Sequence, residues 1–132
     1  NMISDIKAPE FPAYWADCVN KGRIDDLISL YYEGAVLMPT FSPHAAKNKE
    51  DLKNYFTLLS ERDGMQVTIH DKALDCLQIK EKTYVVNGIY EFKFNVDDIF
   101  RTFPSRFTFV IDFGKKSPIL HHHSSQIPRT LT

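Results

Sequence analysis

The segment His121-His122-His123-Ser124-Ser125 concentrates the residue types that do chemistry in this chain. Imidazole takes up or gives a proton near neutral pH, and a hydroxyl both donates and accepts hydrogen bonds. In an extended strand neighbouring side chains point to opposite faces, so His121, His123 and Ser125 share one face and Leu120, His122 and Ser124 the other. His122 with Ser124, two residues apart on a cavity face, can hold a water or a small polar ligand between them, a workable general-base arrangement. His121 and His123 would instead form a His-x-His metal pair. Zinc needs a third ligand, for which His44 and His70 are the remaining histidines, and neither is placed beside the strand by the sequence. A purely structural role, with the histidines bonding across strands or meeting a second subunit, stands beside both readings. No metal or other cofactor is assigned.

Further polar groups sit in neighbouring segments. Arg106 and Thr108 share a strand face, and Arg106 would attract an anion if it faced a cavity, where water screens poorly; otherwise it is a surface arginine. His123 and Thr108 are counted with Arg106 as candidate binding residues. Tyr90 would offer a hydroxyl inward from its apolar stripe or serve only as core, and the same alternatives hold for Tyr55 on a helix. Thr40, after Pro39, would aim its hydroxyl at a cavity mouth or cap its own loop.

The elements that must position these groups follow from periodicity. Phe11, Trp15 and Cys18 have helical spacing, and Ile24, Leu27, Ile28 and Tyr31 form a second short stripe closed by Gly34. Ala35-Val36-Leu37-Met38 reads as a buried strand stopped by Pro39. A third helix starts at the N-cap Asn48, with Asp51 three residues on, and buries Leu52, Tyr55, Phe56 and Leu59. From Met65 the period is near two. Gln66 to Leu77, Thr83 to Phe94, Phe100 to Phe113 and Ile119 to Ile127 read as strands of one antiparallel sheet, with Gly88 as a bend point. Three helices followed by long strands make an α+β fold, a curved sheet wrapped on its helices around a conical cavity.

Composition narrows the function classes. The 132 residues fit one domain spanning 1–132. A net charge of -1, with no basic run, gives no support for a nucleic-acid partner. No apolar run is long enough to span a bilayer. Cys18 and Cys76 are read as two unpaired buried thiols. With Met2 as the start, Ile-Ser-Asp-Ile-Lys has no signal-peptide character, which places the protein in the cytoplasm.

The order Trp15, Ala35-Val36-Leu37-Met38-Pro39-Thr40-Phe41-Ser42, Tyr55-Phe56, Arg106-Phe107-Thr108-Phe109-Val110 and His121-His122-His123-Ser124-Ser125-Gln126-Ile127-Pro128 resembles the association-domain family of calcium/calmodulin-dependent protein kinase II, within the SnoaL-like and nuclear transport factor 2-like superfamily. The resemblance runs from about Phe11 to Pro128 and implies a cystatin-like cone and a homodimer built on the outer sheet face. The His-His-His-Ser-Ser form is similar to that of the iota-class carbonic anhydrases, which implies carbon dioxide hydration. By that similarity Thr40, Tyr55, His122 and Ser124 hold bicarbonate or the attacking water, with Tyr90 competing for the tyrosine role. The rival expectations are a non-catalytic oligomerisation or ligand-holding module, and a ketosteroid-isomerase-like or cyclase-like enzyme. The last needs a carboxylate in the cavity, for which Asp75, Glu91 and Asp112 are the candidates.

Overall fold

The computed structural model describes residues 5–131, so Met2 lies outside the described residues. A short 3-10 turn, Ala8–Glu10, leads into α1 (Phe11–Asn20), followed by α2 (Ile24–Ser29), β1 (Tyr31–Met38) and α3 (Lys49–Ser60). The strands β2 (Gln66–Ile69), β3 (Asp75–Gln78), β4 (Thr83–Val96), β5 (Ile99–Asp112) and β6 (Ile119–Gln126) complete the chain. Asn48 caps α3 as expected, its Oδ1 accepting from the Asp51 N–H at 2.8 Å. One face of each helix is apolar: α1 buries Phe11, Trp15, Cys18 and Val19, and α3 buries Leu52, Phe56 and Leu59.

The sheet order is β1-β6-β5-β4-β2, with β3 also paired to β4. The sheet is mixed and mostly antiparallel: the strands from Gln66 onward pair antiparallel as expected, and β1, whose direction the sequence left open, lies parallel to β6. A correction concerns Tyr31. Helix α2 ends at Ser29, and Tyr31 opens β1 instead of finishing a helical stripe. Gly34 sits within that strand at φ +91 and does not stop a helix; the β1–β6 register shifts between Tyr31 and Val36, across this glycine.

The stretch expected as one strand from Gln66 to Leu77 is two strands separated by the turn Asp71–Ala73. Strand β2 pairs with residues 90–93 of β4 and β3 with residues 84–87, so the change of partner falls opposite Gly88. A Cβ there would lie 3.0 Å from the Ala73 carbonyl oxygen and 3.1 Å from Phe107 Cζ. The missing side chain is what lets the Ala73 backbone and the Phe107 ring approach β4 so closely.

Alternation then sorts the long strands. Val86, Tyr90, Phe92 and Phe94 of β4, Phe107, Phe109 and Ile111 of β5, and His122 and Ser124 of β6 are buried on the inner face against α1 and α3. Among the described residues the buried polar group outside the tyrosines is small: Ser105, His122 and Ser124. Buried polar groups need partners, so two of these three direct attention to one end of β6. Both cysteines are free, Cys18 buried in α1 as expected and Cys76 exposed in β3, which corrects the reading of Cys76 as buried.

Candidate active site

His122 lies opposite Phe109, and Ser124 opposite Phe107, in the β5–β6 ladder. The imidazole stacks on Phe109 with centroids 4.0 Å apart and meets the Trp15 indole edge-on at 5.2 Å. Its two nitrogens face two tyrosines. Nδ1 is 2.8 Å from Tyr31 Oη and Nε2 is 3.2 Å from Tyr90 Oη. Tyr31 Oη also accepts from Trp15 Nε1 at 3.0 Å. Tyr90 Oη donates to Ser124 Oγ at 2.6 Å, and Ser124 Oγ is hydrogen-bonded to Thr40 Oγ1. A continuous polar path therefore runs Trp15–Tyr31–His122–Tyr90–Ser124–Thr40.

Thr40 reaches this path because Leu37 and Ala46 exchange backbone hydrogen bonds of 2.9 and 2.8 Å, which close the loop leaving β1 at Pro39. Tyr55 approaches from α3, and its hydroxyl accepts from the Phe41 N–H at 3.3 Å. Between these groups lies a cavity of about 10 Å³. That is room for about one water, which needs at least ~10–15 Å³. Thr40, Tyr55, Tyr90, His122 and Ser124 all line it, and none of its lining side chains is a carboxylate.

The surroundings keep every group neutral. Burial pushes the His122 pKa well below the usual imidazole value, and neighbouring His121 and His123 push the same way. Burial raises Tyr31 and Tyr90 strongly and pushes Tyr55 up to about 12. A neutral imidazole among neutral hydroxyls in a dry setting can bind an acceptor or a water, and can meet negative charge that forms there.

Beside the cavity lies a larger pocket of about 400 Å³ lined by Phe41, Ser42, His44, Asp51, Arg62 and Phe94. Pro39, Tyr55 and Leu59 line both spaces, so one layer of side chains separates them.

Of the residues singled out from sequence, Thr40, Tyr55, Tyr90, His122 and Ser124 converge. Arg106, Thr108 and His123 do not reach this cavity, because strand parity turns them outward. There they gather with Ser125 and Asn87 in a separate concavity of about 360 Å³ on the other sheet face. The candidate carboxylates also lie elsewhere. Asp75 borders that outer concavity, Glu91 pairs with His70 at 3.4 Å, and Asp112 accepts from the Gly114 N–H at 2.8 Å. Among the described residues no three His, Cys, Asp or Glu side chains are grouped to hold a metal ion.

Trp15 and Tyr31 were not assigned to the site by sequence reasoning. Tyr31, Ala35 and Leu37 share parity and are all buried, a pattern that would have started the strand six residues before Leu37. The donor role of the Trp15 indole had no sequence signal beyond its place in the helical stripe.

No family model and no curated protein matches the sequence. Solved structures do match in shape. A Xanthomonas campestris protein assigned to the calcium/calmodulin-dependent protein kinase II association domains superposes with a TM-score of 0.80 at 23% identity, covering 92% of this chain and 86% of that one. A nuclear transport factor 2-like protein with a cystatin-like fold from Novosphingobium aromaticivorans gives 0.73 at 12%, covering 92% and 80%. A ketosteroid isomerase-like protein from Erwinia carotovora gives 0.67 at 16%, covering 87% and 89%. The chain has the cystatin-like cone fold that these proteins share, with helices on a curved, mostly antiparallel sheet. Fold alone does not choose among the chemistries such cones carry.

Proposed function

We propose that this cone-fold protein binds a small oxyanion in the His122 cavity and that interconversion of carbon dioxide and bicarbonate is the reaction the site serves. The observation that carries this reading is the all-neutral polar cluster around a water-sized cavity, with the three candidate carboxylates all elsewhere. Isomerase-type proton transfer from a carbon acid uses an acidic base beside the substrate, and no such group lines this space.

In this reading water bonds through oxygen to the carbon of carbon dioxide, and one carbonyl electron pair becomes an oxyanion. Hydroxyls of Ser124, Thr40 and Tyr55, with His122, orient the water and meet the new charge, where the dry surroundings make each donor count. The water's proton has two routes out, the imidazole or water and buffer in the adjoining 400 Å³ pocket, and the tautomer of His122 decides between them. The ligand would reach the cavity from the 400 Å³ pocket by displacing Tyr55 from the Phe41 N–H. A second copy of the chain would dock on the outer sheet face to form the homodimer.

A second reading has its own support. Both nitrogens of His122 already have partners, as a purely structural histidine would, in a non-catalytic ligand-holding module. Stopped-flow carbon dioxide hydration on purified protein, with and without chelator, separates the two. Activity that survives chelation and is lost in His122→Ala supports the hydratase. Absence of activity in both conditions leaves the module, and activity lost to chelator points to metal chemistry at another site.

A further inference from the structure

The path through the site has a direction, and it starts at Trp15. An indole N–H can only donate, so the 3.0 Å contact must run from Trp15 Nε1 to Tyr31 Oη. An oxygen that already accepts is a stronger donor and a poorer second acceptor. Among the described residues the other partner of Tyr31 Oη is His122 Nδ1, at 2.8 Å. If Nδ1 carried the ring proton and gave it to Tyr31, the Tyr31 proton would be buried without an acceptor. That loss is the costly kind, because a buried donor left unmade forfeits its full solvation. Tyr31 therefore donates to Nδ1, and a neutral ring then carries its proton on Nε2. From there the donors follow in order: Nε2–H to Tyr90 Oη at 3.2 Å and Tyr90 O–H to Ser124 Oγ at 2.6 Å, with Ser124 and Thr40 sharing one further hydrogen bond that either can donate. The hydroxyl proton that this last bond does not use, from Ser124 or Thr40, and the Tyr55 O–H, whose oxygen accepts from the Phe41 N–H, are then available to the cavity.

We infer that Trp15 and Tyr31 are positioning residues that hold His122 as its Nε2–H tautomer, so that the cavity presents donors and takes an acceptor ligand, a small oxyanion, with the ring acting as donor and not as base towards water. Only the oxyanion rests on the function proposed above; the tautomer follows from the geometry alone. Burial, which keeps the ring neutral, supports it. The proton released on hydration then leaves by the buffer route.

The test is long-range ¹H–¹⁵N correlation spectroscopy of the histidine rings in the uniformly labelled full chain, with His122 assigned by its loss in His122→Gln. The expected result is a neutral ring with Nδ1 as the lone-pair nitrogen and Nε2 protonated. A lone-pair Nε2, or an averaged mixture of tautomers, overturns the inference. Tyr31→Phe removes the donor with little change in shape and should move the lone-pair Nδ1 signal to its unbonded position; if the protonated nitrogen moves instead, the direction is wrong. Trp15→Phe should move the same signal part of the way, and an unchanged signal removes Trp15 from the positioning role. If Trp15→Phe does not fold, Tyr31→Phe still decides the direction. Sodium bicarbonate should shift the Nε2–H proton saturably, while sodium chloride at equal ionic strength should not; no difference between the salts removes the oxyanion. A protonated Nε2 with no hydration activity leaves the tautomer standing and sinks the hydratase, whereas hydration activity with a lone-pair Nε2 does the reverse.

Discussion

Strands β5 and β6 carry two polar sets back to back, and they differ in everything but composition. On the inner face His122 and Ser124 are buried with partners at every polar atom, and their neighbours are Phe107, Phe109, Tyr90 and Trp15. On the outer face His123 and Ser125 stand with Arg106 and Thr108 in an open concavity. The same residue types, one step apart in sequence, therefore meet opposite solvents. Inside, a hydrogen bond is strong and an unmade one is costly. Outside, water and salt screen each interaction and replace any that is lost.

The largest expected difference between the faces is in activity. His122→Ala should lower carbon dioxide hydration by about a hundredfold to a thousandfold, the usual effect of removing one preorganised donor. His123→Ala, on the opposite face, should stay within about twofold. Stopped-flow hydration on both variants, each checked for folding by near-UV circular dichroism, measures the contrast. Equal losses in the two variants would break it and return the histidines to a shared structural role.

The second difference is in acid stability. His122 has its pKa lowered by burial first and then by His121 and His123. The groups facing it from the packed elements are Trp15 of α1, Tyr31 of β1 and Tyr90 of β4, all neutral, so no nearby carboxylate offsets the shift. Because the folded pKa lies below the ordinary value of 6.5, the unfolded chain binds the proton first as pH falls. The stability this group supplies is complete above that value and is lost between it and the folded pKa. The slope is at most ~1.4 kcal/mol per pH unit for one proton. Urea unfolding of wild type and His122→Gln at a series of pH values below neutrality should show one proton's worth of slope missing in the variant. Parallel curves would mean that the ring titrates freely in the folded protein.

What the sequence made legible follows the same division. Periodicity found the long strands and helices α1 and α3, because a half-buried surface writes its face into the order of residues. Parity alone put His122 with Ser124 and separated both from His123. Parity did not, by itself, say which face of Arg106 and Thr108 meets the cavity, so both were counted as binding residues beside Tyr90, and the structure turns them outward. Tyr31 was lost because a glycine three residues later reads as a helix stop, whereas here Gly34 takes a positive φ inside β1. Trp15 and Tyr31 are 16 residues apart and meet only through tertiary packing, a contact that no local pattern records. The turn Asp71–Ala73, which splits one expected strand into β2 and β3, is set by how β4 accepts two short partners around Gly88.

Tyr90→Phe sharpens the comparison on the stability side. Removing one oxygen takes the partner from both Nε2 and Ser124 Oγ, and the ring's stacking on Trp15 at 5.3 Å remains. The expected loss is about 1–3 kcal/mol, the cost of a buried donor left unsatisfied, measured by urea unfolding at neutral pH.

Arg106→Gln is the outer counterpart and the smallest expected effect. Arg106 is exposed on the outer face, and its backbone lies opposite Ser125 in the β5–β6 ladder. Surface substitutions of this kind usually change stability by no more than ~0.5 kcal/mol. Because Arg106 lies on the opposite face of the sheet from the cavity, hydration activity should also stay at the wild-type value. A drop in activity without a drop in stability would show that the outer concavity communicates with the His122 site, and the two faces could then no longer be treated as independent. A drop in stability that depends on protein concentration would instead locate Arg106 in the contact between two copies of the chain, since only an associating protein links its unfolding to concentration.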